Sequence, residues 1–238
     1  MSQIYLIRHA QAGSRENYDV LSDLGEEQAR LLGEYFKAQG VAPCAVYSGS
    51  MLRQRQTAEI ACRAAACPAS PLPDIVIDER LNEFNLASVY RAIAKRLIEE
   101  SEEFACDFRE MQEALRQDPH TTRGATGRCD QTVIRAWISN RFPDYGGETW
   151  AEFRGRIQSC FSLLEDNGCD RPVAVFTSAT PVAILTAVAL GLEEERLLNI
   201  LGVIFNASLT TLRVKDGAAR LFTFNETPHL PLNLRTFR

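Results

Sequence analysis

Along the chain, short apolar runs of strand length alternate with longer stretches in which apolar residues recur every three or four positions. Gln3 to Ile7 is the first run. Its β-branched and aromatic members suit a strand buried on both faces, and it leads straight into Arg8, His9 and Ala10. A polar loop, Gln11 to Asp19, follows. Ser22 then reads as an N-cap, with Asp23, Glu26 and Glu27 in the first turns, where negative charge favours the helix dipole. Leu24, Gln28, Leu31, Leu32, Tyr35 and Phe36 keep helical spacing up to Gly40, which ends the helix. Ala45 to Tyr47 predicts a second strand, stopping at Ser48-Gly49-Ser50, and Met51 to about Ala66 a second helix. Strand, helix, strand, helix within so short a stretch is the rhythm of a parallel sheet.

After the loop Pro68 to Pro73, Asp74 to Asp78 predicts a third strand, with Glu83 just past its end. The rhythm then stops from about Asn85 to Gly146. Val89 to Leu115 is helical in composition, Asp118 to Asp130 reads as an exposed loop carrying Arg123-Gly124-Ala125-Thr126-Gly127-Arg128, and Gln131 to Asn140 as a short helix. This block reads as an inserted helical cap at about 85–146 within one domain spanning 1–238. Gly146 to Thr149 opens a helix whose stripe of Trp150, Phe153, Ile157, Cys160, Phe161 and Leu164 is explained by core packing. Pro172 to Thr177 is the clearest strand. Ser178-Ala179-Thr180 leads from it to Pro181, suited to a first helical position, so free backbone N–H groups are expected at that strand end. Ser208 to Val214 and Ala219 to Phe224 predict an antiparallel pair turned at Lys215-Asp216-Gly217. The fold class is therefore α/β, a three-layer sandwich with a mostly parallel sheet and an antiparallel edge.

Composition narrows the function. With 238 residues, 45% hydrophobic and 24% charged, the chain is of ordinary globular character. A net charge of −5 gives no support to a nucleic-acid or anionic-membrane partner. Lys37, Lys95 and Lys215 are the only lysines, so arginine carries nearly all the positive charge; its planar fork suits phosphate and carboxylate, though a base-composition bias is the better explanation of the imbalance. Seven cysteines, an odd number with no C-x-x-C pair and no secretory signal ahead of them, read as reduced thiols in a cytoplasmic protein. His9, His120 and His229 are too scattered to suggest a metal site. No run approaches the roughly eighteen apolar residues of a membrane span.

The chemistry-bearing residues gather at expected strand ends, where open α/β sheets bind ligands. Arg8 and His9 place a cation and an imidazole there, an arrangement for attacking phosphorus. Arg53 falls in the first turn of the second helix, where a cation opposes the helix dipole unless an anion binds between them. Taken singly, each is better read as a surface arginine or histidine.

Together these segments resemble the histidine phosphatase superfamily, the phosphoglycerate-mutase-like group. The residues that carry the resemblance are Leu6-Ile7-Arg8-His9-Ala10, Leu24-Gly25 with Gln28-Ala29, and Ser48 through Glu59 including Arg53-x-x-Gln56-Thr57-Ala58. It continues through Leu81-Asn82-Glu83, Gly147-Glu148-Thr149, the Val173 to Thr177 strand and the tail Asn225 to Leu230. The resemblance implies that His9 takes the phosphoryl group, that Arg8 and Arg53 clamp its oxygens, and that Glu83 protonates the leaving oxygen and then activates water. It implies no metal and no organic cofactor, and a small phosphorylated substrate as partner; a homodimer stays open. The physical chemistry agrees. Attack needs a neutral imidazole, which neighbouring guanidinium charges favour, and a carboxyl beside a bound dianion suits a general acid. Fixed cations stabilise the spread charge of the transferring group.

Two departures stand out. Ala10 replaces a common glycine, a small change. Ser178 stands where the family usually has a second histidine contacting the phosphate. A charged hydrogen bond contributes about 1.5–3 kcal/mol and a neutral one about 0.5–1.5. With Ser178 and Ala179 as substrate-binding positions, the expectation is a working phosphatase slowed about ten- to several-hundred-fold. A non-catalytic module that keeps the anion pocket is the competing class. A phosphoglycerate-mutase-type transferase, with Arg123 or Arg128 holding a second anion, is a third. Ser48 and Ser178 lack a G-x-S-x-G elbow, and no P-loop or G-x-G-x-x-G occurs, so a serine hydrolase and those nucleotide sites are set aside.

Overall fold

The computed structural model of the chain describes residues 2–13, 18–67, 71–118, 121, 123–161, 171–215 and 218–237. The chain divides into two compact units, Met1–Glu83 with Arg156–Arg238, and Phe84–Gly155.

The first unit is built on a sheet of six strands. β1 (Ser2–Arg8), α1 (Asp23–Ala38), β2 (Ala45–Ser48), α2 (Leu52–Ala65) and β3 (Ile75–Ile77) come first in the chain. β4 (Val173–Thr177), α7 (Ala179–Leu190), α8 (Glu194–Leu201), β5 (Leu209–Lys215) and β6 (Ala218–Glu226) complete it. The strand order is β3-β2-β4-β1-β5-β6. β3, β2, β4 and β1 are mutually parallel, and β5 runs antiparallel to both β1 and β6.

Local chemistry explains the helix limits. Ser22 caps α1 by accepting the Gly25 N–H, and Gly40, at φ +65°, turns the chain away after it. Two-residue alternation splits β1 and β4 between two faces. Ile7, Ala174 and Phe176 join Leu32, Phe36, Ala58 and Ala61 in one buried cluster beneath α1 and α2. Ile4, Leu6, Val173 and Val175 are equally buried and face the other way, and α7 packs against β1, β5 and β6. α1 and α2 approach closely at Gly33, where an added Cβ would lie 2.2 Å from the Ala61 carbonyl oxygen. β3 is a thin edge strand with Val76 and Ile77 exposed.

The second unit holds α3 (Leu86–Glu100), α4 (Glu102–Gln117) and α5 (Ala125–Ile138), which pack on one another, and the start of α6 (Trp150–Ser159). Its core is aromatic: the Trp137 ring lies 4.5 Å from Phe84, 5.4 Å from Trp150 and 5.7 Å from Phe153. Thr149 and Glu152 form a reciprocal capping box at the start of α6.

Several expectations are corrected here. The helical stretch Val89 to Leu115 is two helices, broken where Ser101 caps α4 by accepting the Phe104 N–H. The expected loop Asp118 to Asp130 is already α5 from Ala125 onward, and α5 ends at Ile138 rather than Asn140. α7 begins at Ala179, so Pro181 is its third residue rather than its first. α8 has no counterpart in the sequence reading. His120, Leu164, Asp216, Gly217 and the loop start Pro68 to Ser70 lie outside the described residues.

Candidate active site

β1 and β4 are neighbours in register, Arg8 opposite Thr177, so the next residues of the two parallel strands, His9 and Ser178, emerge at the same sheet end. The His9 backbone is held on both sides. Its N–H donates to the Thr177 carbonyl at 2.8 Å, and its carbonyl accepts from the Ala207 N–H at 3.3 Å and Asn206 Nδ2 at 3.2 Å. Asn206 is fixed in turn by Thr236, whose hydroxyl donates to Asn206 Oδ1 at 3.0 Å and whose carbonyl accepts the Asn206 N–H at 2.7 Å. Ala207 sits at φ +54°, a left-handed conformation uncommon for alanine.

The buried His9 ring has a defined tautomer. Nδ1 lies 2.7 Å from the Ala10 carbonyl, which only accepts, so Nδ1 carries the hydrogen. Nε2 lies 3.2 Å from Arg53 Nε–H, which only donates, so Nε2 presents its lone pair. Burial first, then the Arg53 and Arg8 charges, hold the His9 pKa well below the ordinary 6.5, so the ring is neutral near pH 7.

Arg53 sits in the first turn of α2, which has no side-chain cap of its own. Asp19 supplies one: its Oδ2 accepts the Leu52 N–H at 3.2 Å while Oδ1 accepts from Arg53 Nη1 at 2.8 Å. The Tyr18 ring lies over the guanidinium at 4.9 Å. Thr57, one turn on, donates to the Arg53 carbonyl at 2.7 Å and accepts the Ala10 N–H at 3.0 Å, tying α2 to the end of β1. Arg8 is buried beside them; its Nη1 donates to the Ile204 carbonyl, and its Nε has no hydrogen-bond partner among the described residues. A buried cation with an unused donor can take up an anion. Burial pulls the Arg8 pKa down, an effect that Tyr18 and Glu83 oppose.

Glu83 reaches the site from the turn after β3. Asp78 caps that turn, and Arg156 Nη1 donates to the carbonyls of Arg80 at 2.9 Å and Asn82 at 3.0 Å. The Glu83 carboxylate accepts the Thr180 N–H at 3.1 Å, so it lies at the positive end of α7. Of the backbone N–H groups expected to be free near Pro181, that of Thr180 is thus occupied. Ser178 is the N-cap residue of α7 yet makes no side-chain cap bond; its buried hydroxyl accepts from Gln54 Nε2 at 2.8 Å. Ala179 is the half-buried first residue of the helix.

The structure therefore brings Arg53 onto His9, sets Arg8 within electrostatic reach of His9 and Glu83, and places Glu83 and Ser178 together at the start of α7. Arg128, in the helical unit, is held by Asp107 and Glu110. His229 packs against the Tyr35 ring at 5.9 Å, its pKa pushed down to about 4 by burial. The sequence reading missed Gln54, Asp19, Asn206 and Thr236. Among the described residues no group of three or more His, Cys, Asp or Glu is placed to hold a metal ion, and no helix is long and apolar enough to cross a membrane.

A strand-end histidine flanked by two buried arginines defines the class. Residues 4–227 match the model of the histidine phosphatase superfamily (branch 1), and the chain belongs to that superfamily. Among solved structures it is similar to YhfR of Bacillus stearothermophilus, with 18% identity over 96% of this chain and 99% of the other and a TM-score of 0.65. It is similar to a phosphoserine phosphatase from Entamoeba histolytica in complex with phosphoserine, at 16% identity, 97% and 100% coverage and a TM-score of 0.62. A mycobacterial glucosyl-3-phosphoglycerate phosphatase complexed with VO3 matches at 22% identity, 95% and 100% coverage and a TM-score of 0.62. No curated protein matches the chain.

Proposed function

We propose that this protein is a phosphatase that hydrolyses a small phosphorylated substrate through a phosphohistidine on His9. The observation that carries the reading is the tautomer of His9: hydrogen on Nδ1, lone pair on Nε2, with burial and then two neighbouring cations keeping the ring neutral.

In the first step the Nε2 lone pair attacks phosphorus and the bond to the leaving oxygen breaks. Glu83, which takes up a proton beside the bound dianion, gives that oxygen its proton. Arg53 Nε–H, which rests on Nε2, moves to a phosphoryl oxygen as phosphorus takes its place; Arg8 Nε meets another. In the second step Glu83 takes a proton from water, whose oxygen attacks phosphorus, and the P–N bond breaks to release inorganic phosphate. Each positioned donor that strengthens its bond as charge develops contributes about 10²–10³ in rate. Ser178 stands where a second histidine would add a cationic donor, and its neutral hydroxyl makes the enzyme slower than its relatives in the family. The variety of substrates in the names of the similar structures supports a phosphorylated metabolite without selecting one.

The test is phosphate release from an aryl phosphate and a panel of phosphorylated metabolites by wild type and His9→Ala. Release that vanishes in the variant supports the reading. No release by the wild type across the panel favours a module that only binds phosphorylated ligands.

A further inference from the structure

We infer that Gln54 is a positioning residue that acts through Ser178, turning the serine hydroxyl proton toward the phosphoryl oxygens. The inference rests on the phosphatase reading above and deepens it.

An N-cap serine ordinarily accepts from the second or third N–H of its helix. In α7 both are closed to Ser178. The second is the Thr180 N–H, taken by Glu83, and the third position is Pro181, which has no N–H. The serine oxygen is thereby released from capping, and Gln54 takes it up instead.

Gln54 Nε2 donates to Ser178 Oγ at 2.8 Å and to the Leu81 carbonyl at 3.2 Å. The Leu81 oxygen only accepts, so the amide cannot be turned over without setting two oxygens against each other. Ser178 Oγ thus faces a group that only donates, and its own proton must go elsewhere. The hydroxyl has no acceptor among the described residues, and it lies at the strand end beside His9, where the phosphoryl group arrives. The other end of the amide costs stability: Gln54 Oε1 is buried without a partner among the described residues, tucked over Gly49, where an added Cβ would lie 1.9 Å from it. An apolar side chain of the same length avoids that cost, so packing does not account for glutamine here, whereas its donor end does.

A double-mutant cycle tests this, with Gln54→Met, Ser178→Ala and the pair, read as kcat/KM for an aryl phosphate and as the dissociation constant of orthovanadate. Thermal melts check that each variant is folded, with Gln54→Leu in reserve. Gln54→Met is expected to cost about three- to tenfold with Ser178 present and under about twofold once Ser178 is alanine. Equal losses in both backgrounds overturn the inference, as does a Ser178→Ala protein with undiminished activity and vanadate affinity. If the wild type binds vanadate but turns nothing over, the phosphatase reading fails by itself, and the same non-additivity in vanadate affinity still decides the role of Gln54. A wild type that neither turns over nor binds vanadate overturns both.

Discussion

Arg53 Nε and His9 Nε2 lie 3.2 Å apart, with the arginine donating to the nitrogen that would attack phosphorus. In the proposed reaction burial and this cation together keep His9 unprotonated, and the same cation is in place to take a phosphoryl oxygen.

Removing that cation should change both chemistry and titration. Arg53→Ala is expected to lower kcat/KM about 10²–10³-fold. Arg53→Lys should recover little of it, because an ammonium cannot reproduce the planar fork. The His9 pKa should rise in Arg53→Ala, which loses the close charge, a change readable by NMR titration of the ring. An unchanged His9 pKa in Arg53→Ala would show that burial alone sets it.

The two depressed histidines make the fold sensitive to acid. His9 is held well below 6.5 and His229 is pushed down to about 4, so both are neutral in the folded protein where an unfolded chain would take up protons. Stability is fully present above about pH 6.5 and falls as pH drops from 6.5 toward those lower values. Urea melts of wild type and His229→Phe between pH 7.5 and 4.5 should show a shallower loss in the variant. Parallel curves would remove His229 from this account.

At Gly33 the helices α1 and α2 are closest, with backbone rather than a flexible side chain in the way of a Cβ. Gly33→Ala should destabilise the fold by about 1–3 kcal/mol, measured by denaturant unfolding, because the helices must separate. A neutral substitution would mean that the α1–α2 contact relaxes freely.

The weakness assigned to Ser178 has a structural condition. Ser178 is buried with Gln54 against it, so histidine at 178 needs room that Gln54 occupies. Ser178→His combined with Gln54→Ala is expected to exceed wild-type turnover by about tenfold or more, and to exceed Ser178→His alone. A double variant no faster than wild type would place the slow step elsewhere.

The parts of the fold and site that were legible in the sequence are those determined locally. The apolar run ending in Arg8 and His9, the Ser22 cap and the Gly40 turn each carry their cause within a few residues, and Arg53 follows from its place in the first turn of α2. The break between α3 and α4 was also locally encoded, by Ser101 followed by Glu102 and Glu103, but an even run of helix-forming residues masked it. Asn206 and Thr236 hold His9 from about 200 positions away in the chain, and Gln54 meets Ser178 across a sequence separation of 124. No periodicity or motif reports such pairings; they exist only once β1, β4 and β5 lie side by side. Asp19 was invisible for the same reason, since its role is to cap a helix that begins 33 residues later.

The most direct test of the central claim is to capture the intermediate. Wild-type protein mixed with an excess of aryl phosphate and quenched under alkaline conditions should yield one phosphorylated peptide, with the phosphoryl group on a ring nitrogen of His9 and absent from His9→Ala. Turnover that proceeds with no phosphoryl group on His9, or with His9 replaced by alanine, would contradict it.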